Sequence, residues 1–156
     1  MEKKPQFLTR EGIKKFEEEL DLLTKVRMED VKIKLQEARA QGDLSENAEY
    51  EAAREEQAEV YARIQELQYI LKNAVIIEVD ENSDVVRMGA TVTYSEIESG
   101  KEFEFKIVGT AEANPFEGKI SNDSPIAKAL EGKRAGERAT VTTPKGMVDV
   151  TINAVN

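Results

Sequence analysis

The chain has no cysteine, no histidine and no tryptophan among its 156 residues. Without Cys there is no disulfide framework, thiol nucleophile or thiolate zinc site. Without His there is no Ser-His-Asp triad, imidazole base or imidazole-held metal. Proline is scarce: of four, none falls between Phe7 and Asn114, so the two helical stripes described below meet no obvious breaker except at Gly42. No apolar run approaches the roughly 20 residues that span a bilayer. The opening "MEKKPQFLTREG" has no secretory apolar core, and the expected location is the cytoplasm, with no membrane partner. Basic excess is missing as well. Net charge is −9, with 13 basic and 17 acidic residues up to residue 77 and 9 and 14 beyond it. Neither half carries the basic face of a protein that grips nucleic acid broadly, so any such contact is expected to be local or through another protein.

What is present falls into two halves of different period. In the first, Thr9 reads as a helix cap, with Leu8 and Ile13 as a hydrophobic staple. Apolar residues follow at Ile13, Phe16, Leu20 and Leu23, then at Met28, Val31, Leu35 and Ala38. This is a heptad-like stripe with one gap of five near Val26. A second stripe runs Tyr50, Ala53, Gln57, Val60, Ile64, Leu67 and Leu71. Two striped helices joined by a few residues predict an antiparallel hairpin, each arm about 30 residues and roughly 45 Å long at 1.5 Å per residue. Its turn is expected at Gly42–Asn47.

From Ala74 the period changes to two. "AVIIEV", "ATVTYSEI", "KEFEFKIV", "RATVTTP" and "MVDVTINAV" alternate or are rich in β-branched residues, and turn material separates them. "SPIAKALEGKRAG" reads as a short helix capped by Ser124, with Pro125 at its first position and Gly132 at its end. The fold class expected is α+β: a helical hairpin in residues 1–79, then a small antiparallel sheet domain with one short helix in residues 80–156. The segment "DENSD", Asp80 to Asp84, is the expected seam.

The hairpin turn, "GDLSENAEY", sets Asp43 and Glu46 three residues apart. Asp-x-x-Glu ahead of a helix is a capping-box variant, and Ser45 is an alternative cap. The same two carboxylates suit Mg²⁺, which prefers oxygen donors and is often held by one or two carboxylates plus substrate phosphates. Two exposed acids hold such an ion poorly unless another protein supplies further ligands. Spacing alone leaves both readings open.

Here the residues themselves resemble a known family. "EARAQGDLSENAEYEAAREEQ" is similar to the coiled-coil tip of the GreA/GreB family of bacterial transcript cleavage factors. "ISNDSPIAKALEGKRAGERATVTTPKG" resembles that family's C-terminal domain, "LTREGIKKFEEELDLL" its opening helix and "LKNAVIIEV" its interdomain join. The resemblance covers nearly the whole chain in the family's order, and the "AEYEAAREEQ" continuation lies nearer the GreA branch.

The resemblance implies an FKBP-like C-terminal domain that docks on bacterial RNA polymerase, and a coiled coil that enters the polymerase's secondary channel. There the factor stimulates the polymerase's own cleavage of backtracked RNA and is not an enzyme by itself. On this chain the family's tip acids match Asp43 and Glu46, which would hold a second Mg²⁺ shared with the polymerase active site. Two-metal phosphodiester cleavage needs an ion beside each reacting oxygen, and a backtracked RNA end lacks the triphosphate that would bring the second. Arg39 matches a basic family position near the tip, where a cation can contact the displaced nascent RNA 3′ end; spacing alone equally allows a solvated helix-face arginine paired with Asp43 at i,i+4. Ser45 and Asn47 are expected first as turn and cap residues, with tip contacts secondary, and Tyr50 in the core stripe. With few other cations near the tip, short cleavage products are expected.

Two other functions stay in view. One is a channel-docking factor that competes without promoting cleavage, against which the uninterrupted GDLSEN stands. The other is a foldase, but a prolyl isomerase pocket needs several aromatics, and only Tyr94, Phe103, Phe105 and Phe116 are candidates.

Overall fold

The structure is a computed structural model that describes residues 5–42, 47–78 and 83–156. Asp43, Ser45 and Glu46 lie outside the described residues, as does most of the expected seam at Asp80–Asp84. The fold is α+β. The contacts form two compact units: Ile13–Asn73, and the chain up to Gly12 together with Ala74–Asn156.

The first unit is the hairpin. Helix α1 (Arg10–Leu22) runs through a π-helical turn (Leu23–Arg27) into α2 (Met28–Ala40), and α3 (Ala48–Lys72) packs back along α2. Its core is Val31, Leu35, Ala53, Val60 and Ile64, with Leu20, Leu23, Met28 and Tyr50 packed against it. The π turn explains the gap of five in the apolar stripe. At 3.6 residues per turn, five residues would carry Met28 about 140° past Leu23. The wider turn, closed by the Met28 N–H on the Leu23 carbonyl, absorbs the extra residue, and both side chains reach the same core. The second stripe ends differently from expectation: Ile70 is buried and Leu71 only half-buried. A step of three or four residues from Leu67 keeps either on the inner face, and the packing selects Ile70.

Ion pairs tie the hairpin's arms. Arg63 on α3 grips Glu19 of α1 through two nitrogens at 2.8 and 3.0 Å and reaches Glu66 at 3.0 Å. Its guanidinium carbon lies 5.9 Å from the Phe16 ring centroid. The hydrogen-bonded Glu19 carboxylate raises the Arg63 pKa above its ordinary value, against the opposing effect of burial. Glu56 is held by Arg27 at 3.1 Å and Lys34 at 3.0 Å.

The second unit holds two sheets. Strands β1 (Gln6–Leu8) and β2 (Ala74–Ile76) form a short parallel pair, Phe7 opposite Val75. The larger sheet has the order β5-β4-β3-β7-β6, from β3 (Thr91–Glu96), β4 (Glu102–Val108), β5 (Lys119–Ser121), β6 (Arg138–Thr143) and β7 (Gly146–Val155). It is antiparallel from β4 to β6, and β5 joins β4 in parallel at one edge. Alternation along the strands buries Val92, Tyr94, Val141, Val150 and Ile152 on one face, where α4 (Pro125–Leu130) adds Ala127 and Leu130. Ser124 caps α4, accepting from the Ala127 N–H at 3.2 Å, with Pro125 in the first turn as expected. Tyr94, Phe103 and Phe105 stack on one another with centroids 5.5 to 6.4 Å apart. These rings serve the core rather than standing around a pocket.

Thr9 caps α1 as expected, accepting from the Gly12 N–H at 3.0 Å. The reciprocal half of the capping box comes from far away in sequence. Glu112 accepts from the Thr9 N–H at 3.1 Å and from the Thr9 hydroxyl. The third helical position, where such a glutamate ordinarily sits, is Gly12. A Cβ there would come within 2.5 Å of the Glu112 carboxyl, so glycine makes room for the donated side chain.

Candidate functional site at the hairpin turn

The last turn of α2 runs out at Ala40, with the Gln41 N–H on the Ala38 carbonyl at 3.3 Å. Gly42 follows at φ +121°, a conformation that L side chains rarely adopt, which places the helix break where the sequence put it. Beyond the undescribed residues, α3 begins with Asn47 as its N-cap. Asn47 does two jobs. Its Oδ1 accepts from the Tyr50 N–H at 3.1 Å, and its Nδ2 donates to the Ala38 carbonyl at 2.7 Å. One amide therefore caps the arriving helix and satisfies a carbonyl at the end of the departing one. Of the caps expected at this turn, Asp43, Ser45 and Asn47, it is Asn47 that caps α3. All three residue types are good caps, and helix phase selects among them.

Arg39 is exposed on the last turn of α2, its guanidinium carbon 5.8 Å from the Tyr50 ring centroid. Hydrogen bonding from Arg39 is the main influence on the Tyr50 hydroxyl, lowering its pKa from the ordinary value. Burial opposes the shift, and Arg54 adds to it. The Tyr50 side chain packs on the hairpin core, as the stripe implied, and so locates Arg39 beside the turn. Arg39 and Asn47 are thus brought to one end of the hairpin from two different helices.

In the sheet unit an open groove of about 420 Å³, lined in part by Ala129, Arg138 and Asp149, touches none of these residues. Between α2 and α3 themselves a smaller hollow of about 300 Å³ is rimmed by Lys34, Glu37, Glu49 and Glu56 over Ala38 and Ala53. Among the described residues no group of three acidic side chains gathers as a metal site, and no helix is long and apolar enough to cross a membrane.

Known families match both halves of the sequence. One described as "Transcription elongation factor, N-terminal" covers residues 6–76, and one described as "Transcription elongation factor, GreA/GreB, C-term" covers residues 81–156. Among similar proteins, transcription elongation factor GreA of Geobacillus kaustophilus is 54% identical over 149 residues, 95% of this chain and 94% of that one. GreA of Bacillus subtilis is 52% identical over 145 residues, 93% and 92% of the two chains. Of solved structures, GreA factor homolog 1 (Gfh1) of Thermus thermophilus is 32% identical, covering 98% of this chain and 99% of its own, with a TM-score of 0.45.

Proposed function

Because the chain belongs to the GreA/GreB family of transcription elongation factors, we propose that it binds bacterial RNA polymerase and brings the hairpin turn to the polymerase active site through the secondary channel. There it stimulates the polymerase's own cleavage of backtracked RNA and frees arrested complexes. The chain is not the nuclease. It lends side chains to one.

The observation that carries this reading is the double hydrogen bond of Asn47. A turn that works at a distance must hold its functional residues in a fixed place. Asn47 joins the two helix ends, with Arg39 and Tyr50 packed beside it, and Asp43 and Glu46 fall in the few residues between. Asn47 is the side-chain cap of α3, so the cap role weighed for Asp43 falls to another residue at that helix end. At 25 residues α3 is about 38 Å long, ample reach for a buried target.

The donor set fits Mg²⁺: two carboxylates are hard oxygen ligands, and too few to complete a shell alone. Asp43 and Glu46 would hold the ion jointly with carboxylates of the polymerase. When bound, the ion supplies positive charge against the RNA phosphates and lowers the pKa of the attacking water. Arg39 contributes a cation that contacts the displaced RNA near its 3′ end, while Ser45 and Asn47 hold the turn against RNA or polymerase.

The test is a stalled, backtracked elongation complex carrying labelled RNA, incubated with the wild type, Asp43→Ala or Glu46→Ala, with polymerase binding measured separately. The wild type should yield shortened transcripts that can be re-extended. Each variant should lose stimulation by about 100-fold or more while still binding. A wild type that binds without shortening the RNA would make the chain a competitor for the channel, and equal cleavage by the variants would remove the acids from the reaction.

A further inference from the structure

Two arginines of the hairpin are held in different ways. Arg63 is clamped by the carboxylates of Glu19 and Glu66, which fix its guanidinium and neutralise its charge. Among the described residues, Arg39 joins none of the hairpin's ion pairs. It is exposed on the last turn of α2, and its guanidinium carbon lies 5.8 Å from the centroid of the Tyr50 ring. An aromatic face attracts a cation through its quadrupole and carries no net charge of its own. A guanidinium resting on it keeps its charge for an incoming anion.

The ring is itself held. Tyr50 is half-buried and packs against the core of Val31, Leu35, Ala53, Val60 and Ile64. Its backbone N–H donates to Asn47 Oδ1 at 3.1 Å, and Asn47 Nδ2 donates at 2.7 Å to the carbonyl of Ala38, the residue beside Arg39. The contacts from Ala38 through Asn47 and Tyr50 to Arg39 therefore close on themselves. Packing alone asks for no aromatic here, since α3 fills the same core elsewhere with Ala53, Val60 and Ile64. The Tyr50 hydroxyl registers the contact: its pKa is lowered, first by hydrogen bonding from Arg39.

We infer that Tyr50 is a positioning residue for transcript cleavage, its ring holding the Arg39 guanidinium beside the hairpin turn with its charge free for the displaced RNA. This rests on the reading that the chain stimulates cleavage by polymerase. A free arginine loses many rotamers when it engages a phosphate, and a ring-held one has lost part of that freedom beforehand. The supporting residue thus acts through Arg39 and touches no reacting atom.

The experiment follows cleavage in a stalled, backtracked elongation complex at saturating factor. It compares wild type, Arg39→Ala, Tyr50→Leu, Tyr50→Phe and the Arg39→Ala/Tyr50→Leu double variant. Tyr50→Leu keeps an apolar side chain but no ring, and should slow cleavage about fivefold. Tyr50→Phe should return the rate to within about twofold of wild type. In the Arg39→Ala background, Tyr50→Leu should bring no further loss, whereas a packing role alone makes the two losses multiply. Carbon-13 NMR titration of the Tyr50 hydroxyl in the free chain checks the contact apart from polymerase. Its pKa should rise toward the ordinary value in Arg39→Ala, and an unchanged value would disprove the contact. If wild type stimulates cleavage but the losses multiply, or Tyr50→Phe is as poor as Tyr50→Leu, the positioning role is disproved while the functional reading stands. If wild type itself does not stimulate cleavage, the functional reading falls and the positioning role falls with it.

Discussion

Asn47 donates from Nδ2 to the Ala38 carbonyl at 2.7 Å, joining the start of α3 to the end of α2 across nine positions of sequence. The bond ties the two helix ends together directly. Asn47→Ala removes it together with the cap on Tyr50, and should lower hairpin stability by about 1–2 kcal/mol. Asn47→Asp keeps an acceptor for the Tyr50 N–H but sets a carboxylate oxygen against the Ala38 carbonyl, so it should be no better. Urea unfolding followed by helical circular dichroism reads both. In the cleavage assay, these variants should lose more activity than affinity.

The Thr9–Glu112 pairing makes a coupled prediction. Glu112→Ala leaves the buried Thr9 N–H without its acceptor and should destabilise by about 1–3 kcal/mol. Gly12→Ala alone should also destabilise, because the new methyl meets the Glu112 carboxyl. In the Glu112→Ala background that obstacle is gone, and Gly12→Ala should instead stabilise by up to about 1 kcal/mol through helix propensity. A double-mutant cycle in urea reads this change of sign. Simple additivity would show that Gly12 does not make room for Glu112.

These two pairings mark how far the sequence could be read. Local signals were legible: Thr9 and Ser124 cap within three residues, and the stripes identified Val31, Leu35, Ala53, Val60 and Ile64 as core. Glu112 was not legible, since it completes a capping box 103 residues from its partner and nothing at Gly12 announces a donor from elsewhere. Strands β1 and β2 are three residues each, too short to display a period, so their parallel pairing was hidden. The turn was placed correctly by Gly42, and Asn47 was among its expected cap residues, but Asp43, Ser45 and Asn47 are all suitable types, so residue type alone did not choose between them.

Tyr94 gives the sheet unit a defined weakness at high pH. Burial, with the nearby Glu96 charge adding to it, pushes its hydroxyl up to about 12 from the ordinary 10. A raised folded-state value means the folded chain holds the proton more tightly than the unfolded one. The stabilisation is therefore full below about pH 10 and is lost as pH rises toward 12, on the order of 2 kcal/mol. Urea midpoints at pH 9 and pH 11.5 should separate for wild type more than for Tyr94→Phe, which has no proton to lose. Equal separation would assign the alkaline loss to other groups.

The π turn leads to the least intuitive expectation, that a residue can be deleted from the middle of a helical arm without harm. Leu23 and Met28 both pack on the hairpin core although five positions separate them, because the wide turn takes up one extra residue. Removing Lys25 shortens the spacing to four, which an ordinary α-helical turn accommodates with both side chains still facing inward. Lys25 contributes only an exposed pair with Asp21 at 2.7 Å, of small worth. Deletion of Lys25 should therefore keep helix content and shift stability by no more than about 1 kcal/mol. Deleting Lys32 instead lies between Val31 and Leu35, where the spacing is already four, and rotates one side of the stripe by about 100° away from α3. That variant should lose several kcal/mol, since buried Val31 and its neighbours can no longer face the core together. Circular dichroism and urea unfolding of the two deletions side by side decide it. If both are equally damaging, the π turn is not the slack that keeps the stripe in phase.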